Sequence, residues 1–266
     1  MQNLPIGIFD SGIGGLTVAH ALKEKLPNES IIYFGDTEHL PYGEKSDEAI
    51  GNFSKKITQF LINKNCKAIV MACNSASSVA FNVVKKQAKD IPVFNVIDPV
   101  ANAVASNCSD CKIGVIGTKA TIQSGVYTRK VKAICSSAMV AALATPLLVP
   151  MIEEGFINEE ISHKIISNYL SNKSLEGIDS LILACTHYPL IFNEINAFYS
   201  GKVQLIDSAT IVAESIKIEL KSMQLLNLNN NPKYQFYISN YTKSFAKSAK
   251  FFFQEEIKIE EVNIWN

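Results

Sequence analysis

Eight short apolar runs, with amphipathic stretches of helical period between several of them, constrain this chain more than any other feature. They fall at residues 6–9, 31–35, 68–72, 93–97, 113–117, 141–144, 181–184 and 203–206. Nearly continuous apolar strands alternating with helices are what a parallel sheet covered on both faces requires. Residues 46–65 show the helical period best: Ile50, Phe53, Ile57 and Leu61 share one face, and Asp47 and Glu48 occupy the first turn, where the helix dipole favours negative charge. A second helix is expected over 16–26, directly after the first strand.

The pattern occurs twice. Ile6-Gly7-Ile8-Phe9-Asp10-Ser11 is echoed by Ile113-Gly114-Val115-Ile116-Gly117-Thr118, and Ala68-Ile69-Val70-Met71-Ala72-Cys73-Asn74-Ser75 by Ser180-Leu181-Ile182-Leu183-Ala184-Cys185-Thr186-His187. Either echo alone could be a coincidence between buried strands. Two in the same order imply duplication, and hence an α/β fold of two pseudo-symmetric parallel-sheet domains. The expected division is 1–97 with 210–266, and 98–209. Residues 106–111 and 228–232 read as surface connections, and 234–239, 242–253 and 257–264 as a closing strand, helix and strand.

Composition narrows the class of function. Of 266 residues 47% are hydrophobic, enough for a large core, and 25 Lys+Arg balance 25 Asp+Glu, so no long-range field draws the chain onto nucleic acid or an anionic membrane. The six cysteines follow no disulfide-framework spacing, which predicts reduced thiols in a cytoplasmic protein. No basic, cleavable leader opens the chain. Residues 133–152 form an uncharged run long enough to span a bilayer, but Ser136, Ser137, Thr145, Pro146 and Pro150 make it a helix end, a buried strand and a loop. Arg129 is the single arginine, so a carboxylate-binding site must use backbone N–H groups, hydroxyls and amides.

Ligands of open α/β sheets bind beyond the carboxyl ends of the strands, where both Ala-Cys motifs lie. One free cysteine is more often a small buried hydrophobe. Two at equivalent strand ends, followed by Asn74-Ser75 and Thr186-His187, point instead to chemistry. Inverting a carbon acid needs a base on one face and an acid on the other, exchanging roles on reversal. Paired thiols, with an ordinary pKa of about 8.5 that a cation or helix N-terminus lowers, meet that need. His187 is placed to assist Cys185, and Asp10 to assist Cys73. The glycine-rich run 10–16 turns a strand into a helix and can present N–H groups to an anion, but it lacks the Walker lysine and the G-x-G-x-x-G spacing of nucleotide sites. An aspartyl-phosphate reading of Asp10 fails because Gly12 stands where the second carboxylate belongs. Cys108 and Cys111 have half-zinc or redox spacing without a second pair, so no metal site is expected and the two read as incidental surface thiols.

Taken together, Phe9-Asp10-Ser11-Gly12-x-Gly14-Gly15-Leu16-Thr17, Pro41-Tyr42-Gly43, Ala72-Cys73-Asn74-Ser75-Ala76, Gly117-Thr118-x-x-Thr121, Pro150-Met151-Ile152-Glu153-Glu154-Gly155 and Ala184-Cys185-Thr186-His187-Tyr188-Pro189-Leu190 closely resemble the glutamate racemase family. The likeness runs from Gly7 to Tyr237-x-Ser239 and Phe245. It implies two α/β domains, the first closed by the C-terminal segment, with the site between them. It also implies a cofactor-independent enzyme, a homodimer in the family's manner, that supplies D-glutamate for peptidoglycan. Cys73 would take the proton from D-glutamate and Cys185 from L-glutamate, assisted by Asp10 on one side and by Glu153, rather than Glu154, with His187 on the other. Substrate contacts would come from Asp10, Ser11, Tyr42, Gly43, Asn74, Ser75, Thr186 and His187, with Thr118 and Thr121 as second candidates. Ser75 replaces the family's usual threonine and keeps the hydroxyl. Thr145 stands where many members have cysteine and is placed away from the two bases. Competing readings are a two-cysteine racemase of aspartate or another carbon acid, a binding or regulatory protein on the same scaffold, and a pyridoxal phosphate racemase.

Overall fold

The computed structural model describes residues 2–241 and 249–265. Its strands are β1 (Ile6–Asp10), β2 (Ile31–Gly35), β3 (Ala68–Met71), β4 (Val93–Asn95), β5 (Lys112–Gly117), β6 (Met139–Ala144), β7 (Ser180–Ala184), β8 (Gln204–Ile206), β9 (Tyr234–Ile238) and β10 (Ile259–Glu261). Between them run α1 (Leu16–Lys25), α2 (Asp47–Asn63), α3 (Asn74–Val79), α4 (Phe81–Ala88), α5 (Asp98–Ser106), α6 (Lys119–Gln123), α7 (Val126–Ile134), α8 (Leu148–Glu153), α9 (Glu160–Leu170), α10 (Phe192–Phe198) and α11 (Ser208–Ser222).

The strands form two parallel sheets, ordered β10-β9-β2-β1-β3-β4 and β6-β5-β7-β8. Sequence echo becomes topological echo: β2-β1-β3-β4 of the first sheet corresponds to β6-β5-β7-β8 of the second. Both echoed pairs are hydrogen-bonded neighbours, with Phe9 opposite Met71 and Gly117 opposite Ala184. The two motif-bearing strand ends of each sheet therefore lie side by side. Successive residues of β1 feed different cores: Ile6 and Ile8 join a cluster continuous with the second sheet, while Phe9 packs with Ile57, Leu61 and Met71 on the other face. Burial on both faces is why these strands read as unbroken apolar runs.

Local signals explain most boundaries. Ser46 caps α2 by accepting a hydrogen bond from the Ala49 N–H at 3.2 Å. Asn95 ends β4 two residues short of the expected 93–97, because its side-chain oxygen accepts from the N–H groups of Ile97 and Asp98, both at 2.9 Å. In the uncharged run, the strand expected to be buried is β6, the half-exposed edge of the second sheet, with Met139 57% exposed. An edge strand covered by no neighbour on one side keeps its apolar side chains only partly buried. The loop expected after it is instead α8, which tolerates Pro150 in its first turn, where backbone N–H groups lack helical partners anyway. No helix of the described residues is long and apolar enough to cross a membrane.

Cys108 and Cys111 are joined by a disulfide, which corrects the expectation of two incidental thiols. Asp110 between them adopts a left-handed conformation, φ 55°, and the turn brings the two Cα atoms to 5.5 Å. The remaining cysteines, Cys66, Cys73, Cys135 and Cys185, are free. Of the expected closing helix, residues 249–253 are helical, while 242–248, Phe245 included, lie outside the described residues. The closing strand is β10, shorter than the expected 257–264.

Candidate active site

Beyond the carboxyl ends of both sheets lies a cavity of ≈ 330 Å³, into which each sheet contributes one cysteine. Cys73 follows β3 and caps α3, its sulfur accepting from the Ala76 N–H at 3.4 Å and donating to Ser11 Oγ at 3.6 Å. Cys185 follows β7, its sulfur 3.7 Å from His187 Nδ1. On the far side of the ring, His187 Nε2 meets Glu153 Oε1 at 3.0 Å, so Glu153 rather than Glu154 is the partner. Phe252 seals the imidazole edge-on at 5.2 Å.

The two thiols have opposite electrostatic neighbours. Burial pushes Cys73 up to about 12, and the Asp10 carboxylate adds to the rise. Burial opposes charge on His187, yet its hydrogen bonds and charge contacts with Cys185 and Glu153 prevail and hold the imidazolium to about 10. Asp10 is itself raised, chiefly by burial, and is fully buried beneath the cavity rather than lining it. Its Oδ2 accepts from the N–H groups of Gly12 at 3.2 Å and Gly15 at 3.0 Å, and its Oδ1 has no partner among the described residues. The glycine-rich run thus tethers Asp10 behind Cys73.

Of the other expected contacts, Ser11, Tyr42, Gly43, Asn74, Ser75, Thr118 and Thr186 line the cavity. Thr121 does not; it stands behind Thr118, the two hydroxyls 3.1 Å apart. Tyr42 contributes only its ring, since its hydroxyl donates to Asp36 Oδ2 at 2.7 Å. Thr145, expected to lie away from the bases, is in the cavity wall with its hydroxyl 2.6 Å from that of Tyr188. The expectation failed because Thr145 follows β6, whose register sets Ala144 opposite Gly117 at the same end of the sheet as Cys185.

Close approach between the two sheets' loops depends on two glycines. A Cβ on Gly14 would lie 2.5 Å from His187 and from Thr186 Oγ1, and one on Gly43 would lie 2.7 Å from Thr118 Cβ. Ser75 and Thr118 meet across the same seam at 2.9 Å, and Lys119 pairs with Glu44 at the mouth at 3.0 Å. Asp36, Lys119, Glu44 and the buried Tyr127, which donates to Asn74 Oδ1 at 2.8 Å, were not singled out from the sequence. Only Glu44, next to Pro41-Tyr42-Gly43, and Lys119, next to Thr118, adjoin a recognisable motif. No group of three potential metal ligands occurs among the described residues.

Two buried thiols facing one cavity, set in duplicated parallel sheets, define a site suited to proton transfer on both faces of a small carbon acid. The sequence profile of the Asp/Glu/hydantoin racemase family matches residues 16–216. Glutamate racemase of Neisseria meningitidis is 43% identical over 250 residues, 92% of each chain, and glutamate racemase 3 of Caldanaerobacter subterraneus is 41% identical over 266 residues, 99% of this chain and 96% of its own. The crystal structure of glutamate racemase from Francisella tularensis in complex with D-glutamate superposes with a TM-score of 0.94 at 39% identity, covering 100% of this chain and 99% of that one. The chain belongs to the Asp/Glu/hydantoin racemase family. Within that family, these similar proteins are glutamate racemases.

Proposed function

We propose that this chain is a glutamate racemase that interconverts L- and D-glutamate without a cofactor, with Cys73 and Cys185 as acid and base on opposite faces of the α-carbon. The observation that carries this reading is the pair of free, buried thiols lining one cavity from equivalent strands of two sheets. With L-glutamate bound, a Cys185 thiolate takes the α-proton and the electron pair passes into the α-carboxylate. The Cys73 thiol then delivers its proton to the other face, leaving a Cys73 thiolate and a Cys185 thiol; the reverse sequence converts D to L. Asp10 disfavours charge on Cys73, while the His187 imidazolium, steadied by Glu153, gives a Cys185 thiolate its counter-charge.

The substrate carboxylates are received by Ser11, Asn74, Ser75, Thr118 and Thr186 and by the backbone at Gly43, with Thr121 supporting Thr118. Arg129 lies outside this lining, its guanidinium on the Ser124 carbonyl. The substrate of the relatives, and the D-glutamate bound in the Francisella tularensis enzyme, support glutamate. In this reading the enzyme is a cytoplasmic homodimer that supplies D-glutamate for peptidoglycan, with neither nucleic acid nor membrane as partner. Its two units are 1–97 with 210–266, and 98–209. That β9 and β10 join the first sheet supports the assignment of the C-terminal segment. The second boundary falls in the first turn of α11, a helix that packs on both α1 and α5. Circular dichroism of D-glutamate incubated with dialysed protein tests the activity, with D-aspartate in parallel. The glutamate signal should decay to zero and the aspartate signal persist. A glutamate signal that persists, or decays only with added pyridoxal phosphate or metal, overturns the reading.

A further inference from the structure

Asn74 sits at the start of α3, beside Cys73, and its amide is divided between two surroundings. Its Oδ1 accepts a hydrogen bond from the hydroxyl of Tyr127, on α7 across the seam, at 2.8 Å. Its Nδ2 is buried, in a residue that lines the cavity, and has no partner among the described residues. A buried amide donor left unpaired is destabilising, so such a group in a cavity wall is a site for an acceptor.

An amide can turn over, and what Tyr127 does decides which way it faces. In the observed orientation the tyrosine proton is satisfied and the N–H2 is the half of Asn74 left for the cavity. In the reverse orientation Nδ2 would donate to the tyrosine oxygen, the tyrosine proton would lose its acceptor in a fully buried place, and Oδ1 would take the position of the free donor. An amide carbonyl oxygen there repels a carboxylate, whereas the N–H2 donates to it. Tyr127 is 3% exposed and its ring is packed in the core shared by the two sheets, so its hydroxyl is held in one place.

We propose that Tyr127 is a positioning residue that fixes the orientation of the Asn74 amide, so that the donor half faces a substrate carboxylate. It touches neither thiol by hydrogen bond and acts through Asn74. Because Tyr127 comes from the second sheet's helices and Asn74 from the first sheet's, the carboxylate donor is correctly presented only when the two halves of the cavity are together. The inference rests on the reading of the substrate as glutamate for its kinetic consequence, but not for the hydrogen bond itself.

The test is a double-mutant cycle of Tyr127→Phe and Asn74→Leu, read both in racemisation kinetics and in thermal unfolding. Tyr127→Phe removes one oxygen and keeps the ring, and it should raise KM for glutamate about tenfold with kcat changed less than about twofold. In the Asn74→Leu background, where no amide remains to orient, the same change should leave KM unaltered. In unfolding, Asn74→Leu strands the tyrosine hydroxyl, so the double variant should melt above Asn74→Leu alone. Equal KM increases from Tyr127→Phe in both backgrounds, or a loss confined to kcat, would overturn the proposal, as would a double variant no more stable than Asn74→Leu. If wild-type protein does not racemise glutamate, the proposed function fails, while the unfolding cycle still decides whether Tyr127 and Asn74 are coupled.

Discussion

His187 is buried between a thiol and a carboxylate, and the protonated ring is the form both neighbours favour. Burial works against that charge, but the two partners prevail, so the imidazolium persists to about 10 in place of the ordinary 6.5. A group whose folded value is raised contributes stability that is complete below its unfolded value and is lost as pH rises through the folded one. The stability gap between wild type and His187→Asn should therefore be full below 6.5 and close progressively towards about 10. Urea unfolding at a series of pH values measures it; a gap that widens with rising pH would show that the neutral ring is the favoured form. At fixed pH near neutrality, the same substitution should lower kcat/KM for L-glutamate by about 10² to 10⁴, the range for a group assisting proton transfer. Cys73 follows the same sign rule at higher pH, since a thiol held to about 12 binds its proton longer in the folded chain than in the unfolded one.

Elements hold these residues in place, and the first sheet is pinned at its end remote from the cavity by a buried ion pair. Lys67, just before β3, reaches Glu29, just before β2, at 2.5 Å, and also donates to the carbonyls of Gln2 at 2.6 Å and Leu225 at 2.7 Å. The Asn227 N–H closes the cluster on Glu29 Oε1 at 2.8 Å. Removing one partner of such a pair strands the other, so Lys67→Met should destabilise the protein by about 3–5 kcal/mol in chemical denaturation, while Lys67→Met with Glu29→Leu recovers only part of that, since the Asn227 N–H still loses its acceptor. A single variant as stable as wild type would mean that the pair carries no such role. Nothing in the sequence announces this cluster, because its members are brought together only by tertiary folding. The strands were legible for the opposite reason: a parallel strand buried on both faces writes itself as a local apolar run, and β2 and the helix 46–65 fall where the pattern predicts. Edge position is not local, which is why the apolar run of β6 predicts a buried strand. The cysteines and His187 were legible through motifs at strand ends and Glu153 through the likeness of residues 150–155 to the family, but Thr145 joins the cavity wall by register and Tyr127 reaches Asn74 by packing, which no motif encodes.

At the scale of the whole molecule, the duplicated sheets explain why the site has two similar thiols in unlike surroundings. Equivalent strand ends supply the sulfur atoms, but their surroundings differ: Asp10, the last residue of β1, stands behind Cys73 where β5 has Gly117, and His187 stands beside Cys185 where the first half has Ser75. Closure depends on contacts across the seam: Ser75 with Thr118, Thr17 with the Thr186 carbonyl at 3.3 Å, and Tyr127 with Asn74. Each half therefore presents one thiol to a cavity that neither half forms alone. The central claim is that each thiol serves one face of the substrate, and α-hydrogen NMR of each glutamate enantiomer in D2O with Cys73→Ala and Cys185→Ala tests it most directly. Inversion should stop in both variants. The thiol left behind can still remove and return a proton on its own face, exchanging with solvent in between, although loss of its opposed acid slows the exchange by about 10² to 10⁴. Loss of the α-hydrogen signal should thus be confined to D-glutamate in Cys185→Ala and to L-glutamate in Cys73→Ala; equal loss from both enantiomers in either variant would contradict the two-thiol account.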